Sequence, residues 1–397
     1  MDNIQDISTI CQCLNLLEID DYRSLLQDHR SHKLFTGNTI QLHVAAQLLG
    51  LTSYDMIAEQ LQVSPTLRER TKLDSISSSA LSRKTATLAT DVLQDMLLDL
   101  IQRIHDLSPT TSHKLPGGRK LHLVDATEVV LPLHRASWAY CSHSKRGVKI
   151  HTRVVVSDPD NLVYANQLIA STADVDEKEV SLELVNDPKA IHVMDRGFQH
   201  HGHFEKWTQP GQEIPFVARV RSNTQMVATR DYNIPKADKR WIYWDRKVTL
   251  NKCSRPLRSI YFRDERGNEY DLITNCFDLS ASEIAQIYKY RWLIELFFKW
   301  MKQHLRLVKV FSYSLKGIWN QIYLAFIAHA LCTLVQMQTK TKKTTWDILK
   351  LIRMYAWLPW KEMVKALERL PTRQSKGRQR RSQVPPPVPV RKKWIGR

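Results

Sequence analysis

Three carboxylates in this chain, Asp125, Asp195 and Glu295, have the settings expected of a metal-dependent site. Asp125 ends the mostly apolar run Leu121 to Val124, and Asp195 ends the run Ile191 to Met194. A carboxylate at the end of a core strand must reach solvent, a partner or a cation, because burying it unpaired is strongly unfavourable. Taken alone, each aspartate also reads as an ordinary turn or capping residue. Glu295 falls in a stretch with helical spacing, from Ala281 to about Leu307. At about 100° per residue, Tyr288, Arg291, Glu295 and Lys302 share an arc of roughly 60°. Leu293, Ile294, Phe297 and Met301 cover the opposite side, Phe298 stands at the border, and Lys299 and Arg306 extend the polar stripe. The alternative is a solvated face carrying an i,i+4 ion pair between Glu295 and Lys299.

Taken together, two aspartates on neighbouring strands and a glutamate on a later helix point to one chemistry. Clustered like charges repel and raise one another's pKa, so the grouping makes sense with divalent cations between the carboxylates. Two such ions about 4 Å apart can activate an attacking oxygen and stabilise a departing one in phosphodiester cleavage. Glu128 and Asp158 are rivals for the place of Asp125.

The elements that must hold these groups follow from periodicity. Residues 1–112 read as helical, with Ile40 to Leu51, Tyr54 to Leu61 and Ser79 to Ile104 carrying apolar residues at helical spacing. A break from Pro109 through Pro116-Gly117-Gly118 marks a boundary. Short apolar and β-branched runs follow: 120–131, 149–156, 162–169, 190–194 and 215–220, with helices expected at 176–185 and 201–208. Residues from about 222 to 280 are strand-like again and read as a β-rich insertion. Helices are expected across 281–307, 317–337 and 346–354. The expected fold is α/β. A helical N-terminal domain (1–112) precedes a mixed-sheet domain (113–310) with its insertion (222–280). C-terminal helices (311–370) and a basic, proline-rich tail (371–397) complete the chain.

Charge narrows the partner. The 397 residues carry 58 Lys and Arg against 40 Asp and Glu, a formal +18, which favours a polyanion. An anionic membrane is disfavoured, because no run reaches the roughly 18–20 uninterrupted apolar residues of a spanning helix; Ile322 to Met337 is broken by His329 and Gln336. The acidic start lacks a signal-peptide layout, and the six cysteines form no CxxC pair, so a cytoplasmic, nucleoid-associated protein is expected. His200, His201 and His203 have no Cys or acidic companion spaced for a metal site.

The sequence resembles the DDE transposases of bacterial insertion sequences, specifically the insertion-sequence-four family. The resemblance rests on Asp125-Ala126-Thr127, on Asp195-Arg196-Gly197-Phe198, and on Tyr288-x2-Arg291-x3-Glu295-x6-Lys302, which matches that family's Tyr, Arg, Glu and Lys signature at every spacing. It runs from about residue 30 to 340 and leaves the tail unmatched. The resemblance implies an RNase H-like core interrupted by a β-rich insertion, with Asp125, Asp195 and Glu295 as catalytic residues holding Mg2+, or Mn2+ in its place. It implies strand cleavage at an element's inverted-repeat ends, attack of the freed 3′-hydroxyl on target DNA, cut-and-paste movement through a hairpin, and a homodimer on double-stranded DNA. Tyr288, Arg291 and Lys302 would hold phosphates, with Lys299 and Arg196 as further DNA contacts. Trp241 and Trp244 would offer an aromatic platform to an unstacked base, or else form insertion core.

Further DNA contacts are expected from Lys145, Arg146, Lys149, Arg219 and Arg221, and from Arg68, Arg70, Lys72, Arg83 and Lys84 in the N-terminal helices. Trp346, Ile348, Leu351 and Tyr355 to Leu358 are expected to form an apolar dimerisation surface. The competing readings are a nuclease that cuts without joining, and a non-enzymatic DNA-binding repressor.

Overall fold

The computed structural model describes residues 7–369, apart from 21, 30, 110–113, 159, 161, 306, 308 and 309. The basic tail and Arg306 therefore lie outside the described residues.

The chain opens with six helices: α1 (Thr9–Asn15), α2 (Thr36–Leu49), α3 (Tyr54–Val63), α4 (Pro65–Thr71), α5 (Ser78–Thr87) and α6 (Thr90–Leu107). Ser53, Ser64 and Ser77 start α3, α4 and α5 by accepting a backbone N–H three residues on, and Pro65 opens α4 where its missing donor costs nothing. The single helix expected from Ser79 to Ile104 is two. The chain leaves helical geometry at Leu88 and Ala89, and the buried Asn320 amide donates to the freed carbonyls of Thr85 (3.1 Å) and Leu88 (2.9 Å). A long-range side chain thus satisfies what a continuous helix would have satisfied locally.

Strands follow: β1 (Leu121–Leu131), β2 (Tyr140–Ser142), β3 (Lys145–Asp158) and β4 (Leu162–Thr172). After them come α7 (Glu177–Leu184), β5 (Ile191–Met194), α8 (His201–Trp207) and β6 (Phe216–Arg219). The central order is β4-β3-β1-β5-β6; β1, β3 and β4 are antiparallel neighbours, whereas β1-β5 and β5-β6 are parallel. The insertion comprises β7 (Met226–Asp231), β8 (Ile242–Leu250), β9 (Cys253–Arg263) and β10 (Glu269–Thr274). It is continuous with the core: β10 pairs antiparallel with β6, and β9, β8 and β7 follow, making one 10-stranded sheet. Within the insertion β8 is one continuous strand that bulges where it pairs with β9.

Five helices complete the described chain: α9 (Ala281–Lys289), α10 (Trp292–His304), α11 (Leu315–Gln338), α12 (Thr345–Tyr355) and α13 (Trp360–Glu368). By length and composition α11 would span a membrane, yet it is the buried axis of the helical layer, contacting α2, α5, α6, α12 and β4. One apolar core runs from Ile10 to Leu367 on one face of the sheet; a smaller one, built on Val124, Met194, Phe198, Phe204, Trp207 and Phe216, covers the other. Strand alternation assigns residues to these faces. Leu121 and Leu123 enter the large core and Val124 the small one, so Asp125 emerges on the large-core face, where α10 lies against β1.

The expected dimerisation face is partly packed within the chain, at Ile348 and Ala356. Ile348, Leu349 and Ile352 are fully buried, and Trp346 stacks on His304 with ring centroids 3.6 Å apart. The segment Ile7 to Thr9 also docks here, with Thr9 N–H bonded to the Leu358 carbonyl (2.8 Å) and Trp360 N–H to that of Ile7 (2.9 Å). Met354, Trp357 and Leu358 remain exposed.

Candidate active site

Sheet register brings the first two carboxylates together. In the parallel pair β1-β5, Val124 lies opposite Met194, and the next residue on each strand is an aspartate. Register partners in a sheet share a face, so Asp125 and Asp195 leave the strands side by side. Asp195 closes β5 because the chain turns at once into the single tight turn Arg196–Phe198, with Phe198 plugging the small core. Asp125 does not end its strand as the sequence suggests; β1 continues to Leu131 along β3, and only its pairing with β5 stops.

The third group arrives on a broken helix. The single helix expected across 281–307 is α9 and α10, joined at Tyr290 and Arg291. There i→i−3 bonds replace the usual ladder: Tyr290 N–H to Ile287 O (3.1 Å), Arg291 N–H to Tyr288 O (3.0 Å) and Leu293 N–H to Tyr290 O (2.9 Å). No proline or glycine causes the break. The tightened turn lets Tyr288 and Arg291 serve different carboxylates: the Tyr288 hydroxyl donates to Asp195 Oδ1 (3.3 Å), while Arg291 reaches Asp125 Oδ2 (3.5 Å) and Glu295 Oε1 (2.5 Å). Glu295 therefore pairs with Arg291 rather than with Lys299, which is exposed.

The electrostatics fit a site under charge stress. Burial, and then the fields of Asp195 and Glu295, push the Asp125 carboxyl up to about 6, against the opposing pull of the Ala126 N–H and Arg291. Burial, reinforced by Asp195, raises the Tyr288 hydroxyl well above its ordinary range. Burial works against the Arg291 charge, yet Tyr288, Glu295 and Asp195 hold it above the ordinary guanidinium value. Across from Asp125 on β3 sits Thr152, whose buried Oγ1 has no hydrogen-bond partner. Three carboxylates and an orphaned hydroxyl are the hard oxygen donors that divalent magnesium or manganese takes. As they stand, no three His, Cys, Asp or Glu side chains among the described residues close into a ligand set, and Arg291 lies between two of the three. The donor chemistry suits a divalent ion, and Arg291 occupies the space between two of the donors.

Several expected contacts are engaged elsewhere. Glu128 pairs with Lys145 and Asp158 with Lys114 (2.9 Å), so neither rival joins the site. Lys149 is buried against the Val175 carbonyl and Glu177, and Arg146 folds over the Tyr140 ring. In the N-terminal helices Lys84 is buried with Asp28, Arg70 pairs with Asp20, and Arg68 bonds the Gln62 carbonyl. Arg83, Arg196 and Arg221 are exposed. A polar groove of about 910 Å³, away from the carboxylates, lies among these helices, with Arg23, Lys33, Arg70 and Lys72 in its wall. His203 bonds Ser181 (2.7 Å) and His201 the Asn251 carbonyl (2.9 Å), in keeping with plain structural histidines.

The transposase DDE domain model matches residues 116–331, more than half of the chain. The chain belongs to the transposase DDE domain family. It is 27% identical over 266 residues to the probable transposase for insertion sequence element IS5377 of Geobacillus stearothermophilus, covering 66% of this chain and 68% of that one. A Sinorhizobium fredii (strain NBRC 101917 / NGR234) protein named as transposase y4zB is 30% identical over 243 residues, covering 59% of this chain and 65% of its own. A piggyBac transposase, solved by cryo-EM as a synaptic complex with hairpin DNA, superposes at a TM-score of 0.45 and 14% identity over 92% of this chain and 83% of that one. That overlap is too loose to assign the fold.

Within this transposase domain the remaining expected residues have the following surroundings. Lys302 is partly buried; burial lowers its pKa, and the field of Glu128 on β1 offsets that. Trp241 packs edge-on against Phe262 (6.0 Å) under Lys289, as insertion core does. Trp244 stacks flat on Tyr261 at 4.3 Å, donates to Ser259 (3.0 Å) and lies beneath Arg246. Sequence reasoning did not connect Arg219 or Tyr270 with the carboxylates, although Arg219 ends the strand beside Asp195. The signal was a polar residue following a buried strand, as for the aspartates.

Proposed function

We propose that this chain is a metal-dependent transposase that cleaves DNA at the inverted-repeat ends of an insertion sequence and joins the freed ends to target DNA. The observation that carries the reading is the convergence of Asp125, Asp195 and Glu295 on one face of the sheet, knit by Tyr288 and Arg291, inside a transposase DDE domain. The strand order β4-β3-β1-β5-β6 supports an RNase H-like core, and the matched Tyr, Arg, Glu and Lys spacing supports the insertion-sequence-four assignment.

Asp125, Asp195 and Glu295 would hold Mg2+ or Mn2+, which supplies Lewis-acid activation of the attacking oxygen and neutralises charge on the departing one. Arg291, planar and permanently charged, would grip a phosphate beside the scissile bond with a forked pair of hydrogen bonds. The Tyr288 hydroxyl, kept protonated by burial, orients Asp195 by donating to it. Lys302, Lys299 and Arg196 would extend the contact along the strand, and the flat Trp244–Tyr261 stack is the better-placed platform for an unstacked base. Cut-and-paste movement through a hairpin, and a homodimer that brings two ends together, complete the proposal. The N-terminal domain (1–112), with its polar groove, would bind the element ends. The reading places the protein on DNA in the bacterial cytoplasm.

The test is incubation of the purified protein with Mg2+ and DNA carrying the repeats that flank its gene. Wild type is expected to give free 3′-hydroxyl ends and joined products, both lost below detection in Glu295→Ala. Cleavage without joining would reduce the reading to a nuclease, and sequence-specific binding without cleavage to a repressor.

A further inference from the structure

The most exposed large apolar side chains among the described residues are two neighbours, Leu25 and Leu26, at 91% and 87%. They stand on the connection between α1 and α2. A lone surface leucine needs no explanation, but a slack loop would fold a bare pair back onto the protein. This loop is clamped. Ser24 to Asp28 close one turn, with the N–H groups of Gln27 (3.2 Å) and Asp28 (2.9 Å) donating to the Ser24 carbonyl. The buried Asp28 accepts from the N–H of Ser24 (2.8 Å) and pairs with Lys84 of α5. It also accepts from the N–H of Thr36 (3.0 Å), which caps α2 where Phe35 offers no side-chain acceptor. Gln27 accepts from the Ala89 N–H (3.0 Å) at the α5–α6 break. Three points of the helical domain thus hold the backbone of the tip, while its two leucines are left in water.

The surroundings are cationic. The described residues from Tyr22 to Lys33 expose Arg23, His29, His32 and Lys33, and their one acid, Asp28, is buried with Lys84. Both flanks of the loop, Tyr22 and Arg23 on one side and His32 and Lys33 on the other, stand in the wall of the polar groove of about 910 Å³. Arg70 is in the same wall; it is paired with Asp20, yet its buried Nε–H has no hydrogen-bond partner. We propose that Leu25 and Leu26 form an apolar wedge that enters a base step of duplex DNA, with phosphates of the same duplex held by the cations flanking the loop. The inference rests on the reading that the N-terminal domain binds the element ends. Apolar side chains inserted at a base step unstack it and kink the duplex. Such a wedge has to be stiff, or it yields before the stack does, and the clamp on Asp28 and Gln27 supplies that stiffness. DNA offers base faces to the leucines and phosphates to the cations within one ligand.

The test uses the full chain in EDTA, where no strand is cut, and a set of element-end duplexes each carrying one 2-aminopurine, a base that brightens on losing its stacking partners. Wild type is expected to raise the fluorescence several-fold at one step. The double variant Leu25→Ala with Leu26→Ala should abolish that rise and bind the duplex about 10-fold more weakly. It should melt as wild type does, because both side chains are exposed. A mismatch placed at that step, already poorly stacked, should tighten binding by wild type and leave the double variant unchanged. Tight binding with no bright position, or a rise that survives in the double variant, overturns this inference alone. A double variant that brightens DNA normally but loses self-association in sedimentation assigns the leucines to a second copy and overturns it too. Wild type that binds element-end and unrelated duplexes equally overturns the end-binding reading beneath it.

Discussion

Asp125 is the residue on which the site's stress is most visible. Its folded-state pKa of about 6 lies above the ordinary aspartate value of 3.8, because burial comes first and Asp195 and Glu295 add to it, with Arg291 facing it as the opposing charge. A raised pKa means that the folded chain binds the proton more tightly than the unfolded chain. This contribution to stability is fully present below about pH 4 and is lost as the pH rises through 6. Asp125→Asn is therefore expected to melt higher than wild type above pH 6 in EDTA, by roughly 2 °C or more, with the difference vanishing near pH 4. Thermal scans across that range check it; a gap that widens on acidification would contradict it.

At the scale of elements, the start of α9 is pinned by the insertion. Arg258 of β9 makes a bidentate pair with Asp245 of β8 (2.7 and 2.6 Å) and donates to the carbonyls of Cys276 and Leu279, just before Ser280 caps α9. Both partners are buried. Arg258→Met leaves Asp245 buried and uncompensated, so urea unfolding should show a loss of about 3–5 kcal/mol. The double variant Asp245→Leu with Arg258→Met should recover much of it. Sequence reading found these strands and the helical stretch after them, but not the break at Tyr290 and Arg291. Periodicity at 100° per residue carries no information about a tightened turn that holds no Gly or Pro. Tyr288, Arg291 and Glu295 stay grouped across the break because all three bond within the carboxylate cluster, and Glu295 pairs with Arg291 one turn back rather than with Lys299 one turn on. Nor could charge alone show that Lys84, Lys149 and Arg70 are used inside the chain, since pairing is a tertiary property.

Over the whole molecule, helices from both ends of the chain close over one face of the sheet around α11. Asn320 of α11 ties down the α5–α6 break, and α1 sits on the α12–α13 turn. The region 113–310 without α11 would expose the large-core face of the sheet. Expressed alone, it is expected to lack a cooperative melting transition, whereas residues 1–370 should melt in one step by calorimetry. Two well-separated transitions in the longer chain would contradict a shared core. The helical content and the mixed sheet were legible from sequence because apolar periodicity reports them. That the insertion prolongs the same sheet was not, because edge pairing between β6 and β10 leaves no local signature.

The central claim is that Asp125, Asp195 and Glu295 hold a divalent ion together. The most direct measurement loads Fe2+ in place of Mg2+, adds ascorbate and peroxide, and maps where the polypeptide backbone is cut by radicals formed at the bound iron. The account predicts scission confined to the segments around residues 125, 195 and 295, competed by Mg2+ and abolished in Glu295→Gln. Scission at other segments, or cuts at these three that persist in Glu295→Gln, would contradict it.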